Sequence, residues 1–145
     1  MLPSESILVE NKGENSMDAN SRTIKIGQSE FGCPCHACAF FNSRDEEYEL
    51  LLPFSKSGAE AGERLFQVVD KAHLDERRKR LAEAGIDVPR AESKGQLEIR
   101  PWESAYLRDN RFDQNAMLEL IQEVLEAGRS SGFPLTRLWA NMEWA

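Results

Sequence analysis

Ala37-Cys38-Ala39-Phe40-Phe41, followed at once by Asn42-Ser43-Arg44-Asp45, decides the fold class of this chain. Five consecutive apolar residues have the length of a strand, and the polar tetrapeptide behind them reads as a turn. Glu46 and Glu47 then put acids where the N-terminal dipole of a helix favours them. The stretch therefore reads as a buried strand running into a helix. That helix spans Glu46 to about Ala61, with Leu50, Leu51, Leu52 and Phe54 on its apolar side. Pro53 removes a backbone donor, so a kink or break is expected near Leu52.

The same alternation continues downstream. Leu65-Phe66-Gln67-Val68-Val69 predicts a second strand ending at Asp70, and Leu74 to Ala84 a charged helix closed by Gly85. A third strand is expected at Gly95-Gln96-Leu97-Glu98-Ile99. After a connection holding Tyr106, Asn110 and Phe112, Asp113 can cap a helix whose stripe is Met117, Leu118, Ile121, Val124 and Leu125. Leu135 to Met142 gives a fourth strand. The order predicts an α/β fold: three layers, a mainly parallel sheet with helices on both faces. Residues 1–30 mix polar residues around one short apolar group, Ile7-Leu8-Val9, and read as a flexible tail or linker, with a weakly signalled strand at Thr23 to Ile26. Residues 31–145 are then the folded domain.

Composition narrows the class. The 145 residues suit one domain, and 18 basic against 25 acidic side chains give a net charge of -7, which opposes direct binding to nucleic acid. No apolar stretch approaches the roughly 20 residues that span a bilayer, and no secretory leader is seen. A cytoplasmic protein with reduced thiols and no membrane partner is expected. The basic run Arg77-Arg78-Lys79-Arg80, flanked by Asp75, Glu76 and Glu83, reads as a solvated helix face, and His73 as a surface group.

The densest chemistry is Cys33-Pro34-Cys35-His36-Ala37-Cys38. Cys35 and Cys38 have the C-x-x-C spacing of zinc and dithiol sites. A metal would need Cys33, Cys35, His36 and Cys38 to converge, with zinc or iron the metals open to such a cluster. Neighbours in an extended strand point to opposite faces, which works against convergence. Alternatively Cys35 and Cys38 form a redox switch, or Cys38 is simply a small core residue. A c-type haem is not supported, because His36 lies between the paired cysteines instead of directly after the second one. No phosphate loop, dinucleotide fingerprint or nucleophile triad is found, so no enzyme is expected. Tyr106, Phe112, Trp139 and Trp144 are candidates to line an apolar cavity.

Taken together, several segments resemble one family. His36-Ala37-Cys38-Ala39-Phe40-Phe41 is similar to the H-x-C-x-F-[FY] opening of the MEDS domain, the sensory domain of methanogen and methylotroph regulators and of the dichloromethane-responsive repressor. The likeness continues through Leu52-Pro53-Phe54, Gly58, Gly62-Glu63, Leu81, Ala84-Gly85-Ile86-Asp87, Gly95-Gln96-Leu97, Tyr106-Leu107, Phe112-Asp113, Met117-Leu118 and Met142-Glu143-Trp144-Ala145. The resemblance implies a RecA/KaiC-like core without a phosphate loop. It also implies a non-catalytic sensor of a small molecule, such as a one-carbon or halogenated hydrocarbon derivative. Its regulatory protein partner would be a histidine kinase, a transcription regulator or a sigma-factor pathway, with homo-oligomerisation left open. The family His and Cys fall on His36 and Cys38, and the expected ligand contacts are His36, Cys38, Phe40, Tyr106 and Trp144. Cys33 and Cys35 depart from the family pattern, as does Asn141, where members often carry an acid. Members usually continue past Trp144, so the chain is expected to be a fragment or a shortened domain. The alternative is a metal or thiol-redox protein centred on the Cys33 to Cys38 cluster.

Overall fold

The computed structural model describes residues 4–11 as backbone, and residues 22–109 and 111–142 in full. In chain order the elements are β1 (Ser4–Asn11), β2 (Thr23–Ile26), β3 (Ser29–Gly32), β4 (Cys35–Phe40), α1 (Arg44–Glu60), β5 (Arg64–Val69), a 3-10 turn (Lys71–His73), α2 (Leu74–Glu83), α3 (Val88–Ser93), β6 (Leu97–Pro101), α4 (Trp102–Ala105), β7 (Leu107–Arg108), β8 (Arg111–Phe112), α5 (Gln114–Ser130) and β9 (Leu135–Asn141). Five strands form one sheet in the order β4-β1-β9-β5-β6. β9, β5 and β6 are mutually parallel, whereas β1 runs antiparallel to both β4 and β9. The fold class is α/β with a parallel three-stranded segment flanked by helices. The sheet as a whole is mixed.

Two expectations are corrected in the first forty residues. Ser4–Asn11, expected in a tail, forms β1 inside the sheet, paired Ile7 with Ala37 on one side and Ile7 with Trp139 on the other. Its pairing partners lie far away in sequence, so local apolar density gives no sign of it. Thr23–Ile26 is a strand as expected, paired antiparallel with Ser29–Gly32, and buries Ile24 and Ile26. Secondly, β4 is an edge strand in the five-stranded order, not a buried one: its residues alternate between half-buried and exposed. An unbroken apolar run there does not mean two covered faces, because Cys35, Ala37 and Ala39 pack inward while Phe40 is 64 % exposed.

Both faces of the sheet centre are covered, and every residue of β5 and β9 is buried. On one side lie α1, α2 and α3 over two core clusters, one around Tyr48, Leu51, Phe54 and Trp139, the other around Leu65, Leu81, Ile86 and Leu97. On the other side α4 and α5 close over Phe66, Val68, Tyr106, Leu120, Val124, Leu138 and Ala140. α1 runs as one helix through Pro53, with Ser43 capping it by accepting from the Glu46 N–H. The missing proline donor costs helix stability, which the burial of Tyr48, Leu51 and Phe54 offsets.

The cap on α5 is Asp113, which accepts from Ala116 N–H at 2.9 Å. Its buried residues are Ala116, Leu120, Val124 and Gly128; of the expected stripe Val124 is buried and Met117 and Ile121 pack beside it, whereas Leu118 is 53 % exposed. Gly128 permits close approach to the sheet: a Cβ there would meet Thr136 Oγ1 at 2.5 Å. No helix among the described residues is long and apolar enough to cross a membrane.

Candidate functional site

The alternation along β4 sorts the cysteine-rich segment into two groups. Cys33, Cys35, Ala37 and Ala39 pack against the Tyr48 and Trp139 cluster, while His36, Cys38 and Phe40 are exposed. Register places the second group precisely enough to name its side. His36 pairs with Leu8, which pairs with Leu138, and Cys38 pairs through Ser6 with Ala140. Leu138 and Ala140 belong to the α5 side, so His36, Cys38 and Phe40 form a row on that side of the sheet at its edge.

The four candidate metal ligands are therefore not brought together, and among the described residues no three His, Cys, Asp or Glu side chains are grouped to hold a metal ion. The reason is the two-residue period of an extended strand, which turns Cys35 and His36 to opposite faces. The C-x-x-C pair Cys35 and Cys38 is split in the same way. Cys33 and Cys35 share a side instead. Burial pushes both thiols above the usual 9.0. For Cys33 the neighbouring Cys35 adds to this, with Glu63 in the same sense, while Arg137 pulls the other way on both. All three cysteines are outside disulfides.

Of the other expected ligand contacts, Tyr106 lies on the α5 side but is 2 % exposed inside the core, with its hydroxyl pushed up by burial. It is not part of the open row at the β4 edge. Trp144 lies outside the described residues. Phe112 is exposed, and Trp139 is a core residue in edge contact with Tyr48 at 5.9 Å.

A polar system that the sequence did not reveal occupies the carboxyl ends of β4 and β5, the end of a parallel sheet where ligands commonly sit. Asn42 lies two residues past β4, and its backbone and side-chain N–H groups both donate to Glu46, at 2.7 and 3.1 Å. Arg44, at the start of α1, donates to Glu76 at 3.1 Å and contacts the His73 ring. These three side chains are about one-third exposed. His73 is thus tied into a cluster between α1 and α2, not a solvated group. Beneath it Arg77, 2 % exposed, donates to Glu47 and Gln67 at 3.0 Å each, and Gln67 donates to Ser55 at 3.1 Å. The Arg77 guanidinium stands over the Trp139 ring at 3.4 Å from its centroid and over Tyr48 at 5.4 Å. The solvated-face reading of Arg77-Arg78-Lys79-Arg80 is corrected for Arg77. Lys79 keeps it, Arg78 bridges to Glu92 and Arg80 to Asp45.

This buried network joins α1, α2, β5 and β9 through one guanidinium. Its acid-rich surroundings, Asp45, Glu46 and Glu47 in the first turn of α1, oppose phosphate at the place where a nucleotide-binding α/β fold would hold it. The arrangement links the start of α1 and α2 to the central strands through buried side chains.

The description "MEthanogen/methylotroph, DcmR Sensory domain" (MEDS) belongs to the family model that matches residues 35–145. The match begins at the first residue of β4, so β1, β2 and β3 precede it. Neither the curated proteins nor the solved structures gave a match. With most of its length covered by that one model, the chain belongs to the MEDS sensory-domain family.

Proposed function

We propose that this chain is a non-catalytic sensor, working in the cytoplasm, that binds a small one-carbon or hydrocarbon derivative and relays its presence to a transcription regulator or kinase. The observation that carries the reading is the row His36, Cys38 and Phe40 at the sheet edge. It combines an imidazole, a polarisable thiol and an aromatic ring that is 64 % exposed. A large apolar side chain left in water beside polar groups suits a weakly polar ligand. Binding there would favour one arrangement of β4 and α1, and the Arg77 network would carry the bias to α2 and β9. The likeness to a RecA/KaiC-like core without a phosphate loop belongs to the same proposal, supported by the strand-helix alternation and the glycine-free, acidic turn after β4.

The test is thermal melting with methanol, methylamine and dichloromethane as probes, on the parent chain and on Phe40→Ser and His36→Gln. A sensor at this row shows a saturable rise in Tm with one probe, lost in Phe40→Ser while the unliganded Tm moves little, because Phe40 is mostly exposed. No response to any probe, or a response unchanged in both variants, overturns it. A second reading, a dithiol switch, moves from Cys35 and Cys38 to Cys33 and Cys35, which share a side. Burial keeps those thiols protonated and weakens them as nucleophiles, so the sensor reading is preferred.

A further inference from the structure

Most Lys and Arg side chains in the described residues face a carboxylate within 4 Å. Lys56, Arg90 and Lys94 have no ion pair among the described residues, and all three line one cavity of about 360 Å³. They come from different elements: Lys56 from the last turns of α1, Arg90 from α3, and Lys94 from its C-terminal cap. The Lys56 ammonium reaches over Gly85, where a Cβ would stand 3.6 Å from Nζ. Arg90 and Lys94 are four residues apart and so share a face of α3. Beneath them Ile86 forms an apolar floor and is 6 % exposed. Two acids also line the cavity, Glu60 and Asp87, but Asp87 already accepts from the Arg90 backbone N–H at 3.2 Å.

Three unpaired cations converging on a concave site are unexpected in a chain of net charge -7, where steering toward anions is absent overall. We propose that this cavity is a second ligand site, for a compact organic anion whose carboxylate or phosphate head meets Lys56, Arg90 and Lys94 and whose short apolar body rests on Ile86. Its volume is at the small end of ligand pockets, which run from about 300 to 1,000 Å³. The site lies at the amino ends of β5 and β6, on the α1 side, so the sheet separates it from His36, Cys38 and Phe40. It stands independently of the ligand proposed for that row.

Phenyl phosphate and benzoate are the probes, titrated by isothermal calorimetry and by amide NMR. Saturable binding of at least one is expected, with the largest amide shifts at Gly62, Gly85 and residues 90–96, and with affinity falling as salt rises. Which probe binds more tightly distinguishes a phosphate from a carboxylate head. The triple variant Lys56→Gln/Arg90→Gln/Lys94→Gln should bind at least tenfold more weakly with its Tm nearly unchanged, since all three side chains are exposed. A charge-matched control, Arg22→Gln/Lys71→Gln/Arg111→Gln, changes three exposed cations elsewhere and should bind as the parent does. Failure of both probes to saturate, or equal weakening in the two triple variants, overturns the proposal.

Discussion

Replacing Arg77 by methionine is expected to destabilise the protein by about 3–5 kcal/mol, because it keeps the volume but strands a charge. Glu47 is 3 % exposed, and in the variant its carboxylate loses the guanidinium at 3.0 Å while staying enclosed. Gln67 Oε1 loses its donor as well, and Trp139 loses the cation 3.4 Å from its ring centre. Each of these three losses adds to the same total, with the abandoned carboxylate the largest. For a domain of this size the loss corresponds to a fall in Tm of about 10–20 °C. It would consume a large part of a typical stability of about 5–15 kcal/mol. Urea unfolding followed by tryptophan fluorescence reads it directly, since the Trp139 ring is in the contact. The cycle is completed by Glu47→Leu/Arg77→Met, in which no buried charge remains. That double variant should recover to within about 1–2 kcal/mol of the parent. A single-variant loss under about 1 kcal/mol, or a double variant less stable than the single, would refute the idea that an enclosed ion pair holds α1, α2 and β9 together.

Gly128→Ala should destabilise by about 1–3 kcal/mol despite the better helix propensity of alanine, since the new methyl meets Thr136 Oγ1 at 2.5 Å; Gly128→Ala/Thr136→Ala should recover most of it in the same unfolding assay. Asp113→Ala removes the α5 cap and should cost about 1 kcal/mol, checked by urea titration with hydrogen exchange at Ala116. With reductant present, stability should fall as pH rises past about 9 and further past about 10. Cys33, Cys35, Tyr48 and Tyr106 all bind their protons more tightly when folded, so the unfolded chain releases them first and gains from alkali; Tm measured from pH 7 to 11 checks this. Cys38 should be alkylated by iodoacetamide before Cys33 and Cys35, which are half-buried and held protonated, as read by peptide mass spectrometry.

What was legible in the sequence were features whose cause is local. Leu65 to Val69 and Leu135 onward read as strands because each puts apolar residues on both faces, and Asp113 caps a helix because its carboxylate reaches an N–H three residues on. α3 is not legible, although Asp87 followed by Pro89 is a helix start, because six residues give no periodic pattern. In α5 the apolar pattern finds Val124, Met117 and Ile121 but overvalues Leu118 and passes over Ala116 and Gly128, because the close approach of helix and sheet selects small residues. For the site, strand alternation already warned that Cys35 and His36 face opposite ways. Arg77 could not be found in this manner: within a run of four basic residues nothing local marks which one turns inward toward Glu47, thirty positions earlier.

The antiparallel strand set between β4 and β9 ties the order of folding to the far end of the sequence. Ile7 must wait for Trp139, 132 positions on, before β1 can be held on both edges. Contacts of such long range are slow to form, because the loop must close before the pairing rewards it. Until then the unpaired backbone edges of β4 and β9 stand open to wrong partners, including other nascent chains. Amide protons of β1 should accordingly be the last of the sheet to gain protection during refolding, and yield at high protein concentration should depend more on this strand than its eight residues suggest.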